Sequence, residues 1–108
     1  MEQRQLYTEQ DWRLFRSKVA QWQESHMDKL IQEYIALLSA DGNPSEKFWQ
    51  LEKRIRKDKQ QTGVQVDMRR SMLAHNLIEL LQEGVITLDD LDGFSESLQG
   101  ALRFMLER

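Results

Sequence analysis

A long amphipathic helical run closed by Asp41-Gly42-Asn43-Pro44 constrains this chain more than any other feature. Gly and Asn tolerate positive φ, and Pro lacks an N–H and disfavours helix in the residue before it, so the four residues form a strong stop. Upstream, Thr8-Glu9-Gln10-Asp11 has the form of a capping box with Asp in place of the usual Glu. From there Trp12, Phe15, Val19, Trp22, His26, Leu30 and Leu37 recur at threes and fours on one narrow stripe. Met27, Ile31, Tyr34, Ile35 and Leu38 widen that stripe beyond residue 26. The second half of the helix is therefore expected to be buried by several neighbours and the first half by one. About thirty helical residues span roughly 45 Å, long for a chain of 108 residues. A projecting N-terminal half, covered by a second copy through Trp12, Phe15 and Trp22, resolves the mismatch.

The spacing predicts helices over 9–39, 45–61, 67–83 and 88–106, with a kink or break near Gly93. Ser45 reads as the cap of the second helix, Phe48, Leu51 and Ile55 as its core stripe, and Thr62-Gly63 as its glycine stop. Asp67 reads as the cap of the third helix, with Leu73, Leu77, Leu80 and Leu81 on one face and Met68, Met72 and His75 on another. A helix apolar on two sides is usually internal; alternatively, its Met side is an adaptable contact surface. Gly84 ends that helix, Ile86 staples the connection, and Thr87-Leu88-Asp89-Asp90 caps a last segment carrying Leu88, Leu91, Phe94, Leu98, Leu102 and Met105. No strand-like alternation longer than Val64-Gln65-Val66 occurs. The fold class is all-α: one domain over 1–108, a small bundle of four or five helices with one long N-terminal helix.

Composition excludes whole function classes. Without cysteine, and with a single proline, the chain is neither a disulfide scaffold, a thiol enzyme nor a cysteine-ligated zinc module. The N-terminal MEQRQLYTEQ has no apolar signal core, and no stretch approaches the roughly 18 apolar residues that cross a bilayer. A cytoplasmic protein with no membrane segment is expected.

Charge is unevenly spread beneath a net −3. Residues 1–46 hold five Lys or Arg against eight Asp or Glu, residues 47–70 hold eight against three, and residues 71–108 two against seven. A basic middle can bind a polyanion or neutralise its own chain, with the acidic C-terminal segment lying against the second helix. Trp49, flanked by Lys53 and Arg56 at helical spacing and joined by Arg54 and Lys57, is the candidate nucleic-acid contact: an aromatic stacks on bases while cations hold phosphates. The opposing reading pairs Glu52 with Arg56 and Arg54 with Asp58 at i,i+4 and packs Trp49 against the first helix.

No Gly-rich phosphate loop, nucleophile elbow or HExxH motif is present. His26, on the apolar stripe, reads as a satisfied core or interface histidine, and His75 has Glu79 one turn on, a common spacing. Asp89, Asp90 and Asp92 begin a helix, where carboxylates complement the macrodipole. The expectation is a non-enzymatic chain with no cofactor and no metal, acting as a homodimeric adaptor or inhibitor with a protein partner. Its candidate contacts are Trp12, Phe15, Trp22, Met68, Met72, Leu88 and Leu91; nucleic-acid binding is the alternative.

Residues 77–91, with a leucine-rich helix, the turn Gly84-Val85-Ile86-Thr87 and an acidic helix start, resemble the SHOCT-type short C-terminal oligomerisation motif, departing at Leu91 where that motif has an aromatic. Over most of the chain, Asp11-Trp12-x-x-Phe15-Arg16, Trp22-Gln23-Glu24, Glu33-Tyr34, Lys47-Phe48-Trp49-x-Leu51-Glu52-Lys53-Arg54-Ile55 and Gly84-x-Ile86-Thr87-x-Asp89-Asp90-Leu91 resemble a family of small all-α proteins of Gram-positive, often gut, bacteria. Some of its members carry a multidrug-transporter label, at odds with a sequence lacking any spanning segment. The resemblance implies a bacterial source and no particular activity.

Overall fold

Thr8 opens the long helix as its spacing predicts. Its hydroxyl accepts from Asp11 N–H at 3.0 Å and its own N–H donates to Asp11 Oδ2 at 2.9 Å, and α1 then runs Glu9–Ser39. The computed structural model describes residues 7–107; residues 1–6 and 108 of the expected domain lie outside that range. After α1 come α2 (Pro44–Asp58), α3 (Leu73–Gln82) and α4 (Glu96–Leu106), with single 3-10 turns at Arg70–Met72 and Leu88–Leu91. Among the described residues there is no strand, so the chain is all-α.

Several helix ends differ from their spacing-based positions. Asn43, not Ser45, is the N-cap of α2, because Pro44 takes the first helical position, where its preset φ fits and its missing N–H is not needed. The helix stops at Asp58 rather than 61. Gly63 lies beyond it and does not adopt positive φ. Asp67 does not cap α3: its carboxylate takes the Arg69 N–H and guanidinium, and α-helix begins only at Leu73. Met68 therefore precedes the helix whose face it was expected to share. Near the C-terminus the break at Gly93 is real, at φ +95°, Gly84 ends α3 at φ +77°, and Ile86 is buried beneath the turn.

The molecule is long: 62 × 26 × 25 Å, with a radius of gyration of 17.0 Å, against about 13 Å for a compact chain of this length. The length comes from α1, which serves two unlike packing units. Its first half belongs to a head, where Trp12, Phe15 and Val19 are buried with Leu73, Leu77 and Leu80 of α3, Leu91 and Phe94, and Leu98 and Leu102 of α4. Trp12 stacks on Phe15, and Phe15 meets the half-buried Trp22 edge-on at 6.3 Å. Its second half pairs with α2 as an antiparallel hairpin, the arm. His26 facing Gln61, and Glu33 facing Arg54, set that antiparallel register.

This arrangement reverses the expectation for α1. The first half does not project to await a second copy. Phe15 is 0% exposed within its own chain, and Trp12 6%. The second half is the sparsely covered one. The stripe expected to form the α2 core is likewise turned outward, leaving Phe48 54% exposed. A distributed apolar pattern states that a helix has neighbours, but not which of its turns they occupy.

Candidate functional site

The arm is built on a polar seam between its helices. Asp58 closes α2, an unfavourable place for an anion because the helix macrodipole is negative there. The chain compensates with two donors. Tyr34 Oη–H donates to Asp58 Oδ2 at 2.6 Å, Arg54 Nε–H donates to the same oxygen at 2.8 Å, and the Arg54 guanidinium also pairs with Glu33. The guanidinium lies 5.6 Å from the Tyr34 ring centroid. Burial, followed by the hydrogen bond to Asp58, pushes the Tyr34 phenol up to about 12, so it stays a neutral donor at physiological pH. The hydrogen bond to Glu33 is the main reason that Arg54 is held still more firmly charged than usual. At the base of the arm, His26 Nε2 lies 2.8 Å from Gln61 Oε1, and Gln23 donates to the Thr62 carbonyl. His26 is thus a buried, partnered histidine.

Beside this seam both helices turn apolar side chains to one common side. Met27, Leu30, Ile31 and Tyr34 of α1 line a groove of about 220 Å³ with Ile55, Asp58, Lys59 and Val64. Ile55 and Lys59 also border a second groove with Phe48, Leu51 and Glu52. The two depressions are therefore one continuous face. Ile35 and Leu38, 51% and 43% exposed, extend it along α1. Trp49, 65% exposed, sits at its rim with its ring 4.9 Å from that of Phe48. Exposed contiguous apolar surface of this kind marks contact sites.

The other candidate contacts fall elsewhere. Trp12, Phe15 and Leu91 are buried core and present no contact surface, while Trp22 is half-buried against that core. Leu88 and Met68 are exposed and Met72 half-buried, away from the arm face. The structure separates the proposed nucleic-acid cluster. Arg54 is committed to Glu33 and Asp58, and Arg56 to Glu52, leaving Lys53 and Lys57 exposed near Trp49. Trp49 does not pack on α1. The acidic C-terminal segment does not neutralise α2 either: the partners of Arg54 and Arg56 come from α1 and from α2 itself.

Sequence spacing missed three anchoring groups, two of which work across a long stretch of chain. While keeping its capping box, Asp11 also accepts from Ser95 N–H at 2.7 Å and from the Ser95 hydroxyl at 2.6 Å, tying the start of α1 to the start of α4. Burial alone would push this carboxyl up; the hydrogen bonds from Ser95 and Thr8 outweigh it and hold the group below the usual carboxylate range. Glu83 accepts from the consecutive N–H groups of Thr62 and Gly63 at 2.9 and 3.0 Å, docking the loop after α2 onto the head. Asn76 donates to the Asp67 carbonyl at 2.8 Å. Gly63 is required by proximity rather than by φ, since a Cβ there would lie 2.6 Å from the His26 ring and 2.7 Å from Val85.

No family model, curated protein or solved structure matches the chain. Among the described residues no group of three or more His, Asp or Glu side chains is placed to hold a metal ion, and no helix is long and apolar enough to cross a membrane.

Proposed function

We propose that this chain is a non-enzymatic, cytoplasmic protein–protein interaction module, an adaptor or inhibitor that also associates with itself, and that its contact surface is the apolar face of the arm. The observation carrying this reading is the contrast within one molecule: a fully closed core in the head, and an uncovered stripe of Met27, Ile31, Ile35, Leu38, Phe48 and Ile55 on the arm. The exposed half of that stripe adds nothing to the stability of an isolated chain, whereas its burial against a partner releases roughly 25 cal/mol per Å² of apolar area. Phe48 and Trp49 supply the large rigid side chains that dominate such contacts.

The test is the pair Ile31→Asp and Phe48→Asp. Both variants should keep the wild-type circular dichroism and melting behaviour while losing the proteins that the wild type retains from a lysate of its source cell. Unfolding of either variant, or unchanged retention by both, defeats the reading.

A second reading rests on Trp49, exposed beside Lys53 and Lys57: nucleic-acid binding, which demands retardation of DNA or RNA that weakens as salt rises. Lys53→Glu with Lys57→Glu should abolish it. With Arg54 and Arg56 already paired inside the arm, few cations remain for phosphates, which makes this the weaker reading.

A further inference from the structure

We infer that the occupant of the arm face is a second copy of the chain, docked about a two-fold axis parallel to the arm so that α1 of each protomer lies over α2 of the other. This rests on the reading of that face as a contact surface and names its partner. Two antiparallel helices with their apolar sides facing the same way form one layer, and layers of this type are closed by another layer. Two such hairpins make a four-helix bundle.

Charge selects the arrangement. At 100° per residue, the edge of α1 flanking the face carries the exposed Glu24 and Asp28, while the matching edge of α2 carries Arg56, paired with Glu52, and the exposed Lys59. An axis across the arm would stack α1 on α1 and bring the acidic edges together. An axis along the arm instead sets the acidic edge over the basic one, twice. The register inside the hairpin, with His26 opposite Gln61, puts Asp28 close to the height of Lys59, so Asp28 of each copy faces Lys59 of the partner subunit.

The available area gives the strength. The 15 residues of α2 extend about 22 Å, and two helices side by side are about 20 Å wide. The face offers roughly 450 Å² per protomer, or about 900 Å² in the pair, just under the roughly 1,000 Å² that a stable specific interface clears and in the range of weak, transient ones. A dimer forming at micromolar rather than nanomolar concentration is expected.

Sedimentation velocity over a dilution series of the full chain tests this. The wild type should pass from monomer to dimer. Asp28→Lys alone and Lys59→Asp alone each place like charges at both symmetry-related contacts and should weaken self-association roughly tenfold or more. An equimolar mixture should recover wild-type association, because the mixed dimer restores an opposite pair at both contacts. A wild type that stays monomeric at every concentration, single variants that associate like the wild type, or a mixture without recovery would each overturn the proposal. A monomeric wild type whose lysate partners are still lost on Ile31→Asp would sink the two-fold dimer and leave the interaction module standing; unfolding of Ile31→Asp would remove both.

Discussion

The two halves of α1 are built from similar residues and lead different lives. Trp12, Phe15 and Val19 recur at the spacing also used by Met27, Ile31 and Leu38, yet the first set is buried and the second lies largely in the open. The difference is made by what returns to each half. α3 and α4 come back over the first, whereas the second receives only α2, and one helix covers one side of its neighbour. Apolar character thus marks where a helix can be covered; the number of returning segments decides where it is.

The comparison breaks most sharply under truncation. Phe15→Ala in the head should lose about 3–5 kcal/mol of unfolding free energy, while Ile35→Ala on the arm should stay within roughly 0.5 kcal/mol. Urea denaturation of both variants, at concentrations too low for self-association, is the measurement, and comparable losses would show that the arm face is covered within a single chain.

Next in size is Asp11→Asn, which weakens the link between the ends of α1 and α4 and should lose about 1–3 kcal/mol at neutral pH. The Asp11 pKa is lowered on folding, so the contribution is complete above the unfolded carboxylate value of about 4 and disappears as pH falls through the lower folded value. Wild type and variant should therefore converge in acid, a trend that denaturation at pH 7 and at pH 3 would expose.

Gly63→Ala probes the junction between head and arm. A methyl group 2.6 Å from the His26 ring and 2.7 Å from Val85 must displace both side chains, a loss of about 1–3 kcal/mol from overpacking. Thermal melts should register it, and His26→Ala should relieve part of it.

The smallest effect belongs to the arm seam. Tyr34→Phe withdraws one donor from Asp58 while Arg54 remains, so about 1 kcal/mol is expected. Folding raises the phenol from the ordinary 10 to about 12, so its contribution is full below pH 10 and is lost as pH rises toward 12. An ultraviolet titration of tyrosinate absorbance, wild type against Tyr34→Phe, should show one phenol ionising late.

Much of the secondary structure was legible because its determinants lie within a few residues of one another. Thr8 and Asp11, the breaker at 41–44, Gly84 at positive φ, Ile86 beneath it and the break at Gly93 are decided by φ preference and by hydrogen bonds across three or four positions. The pairing of Glu52 with Arg56 and of Arg54 with Asp58 is legible on the same ground, one helical turn apart. The start of α3 was missed because Asp67 has an equally local competitor in Arg69, and spacing does not rank the two.

The sequence by itself determined an all-α chain, with a first helix too long for a compact domain and punctuation that ends it at a known place. It could not say which end of that helix would be covered. That required Asp11 to meet Ser95, 84 positions away, and Glu83 to reach the backbone of Thr62 and Gly63. Contacts between residues so far apart leave no periodic trace, because each side satisfies its own helix whether or not the other arrives. The tertiary structure therefore decided that the head would close on the first half of α1, and that the apolar side of the arm would remain exposed within the chain.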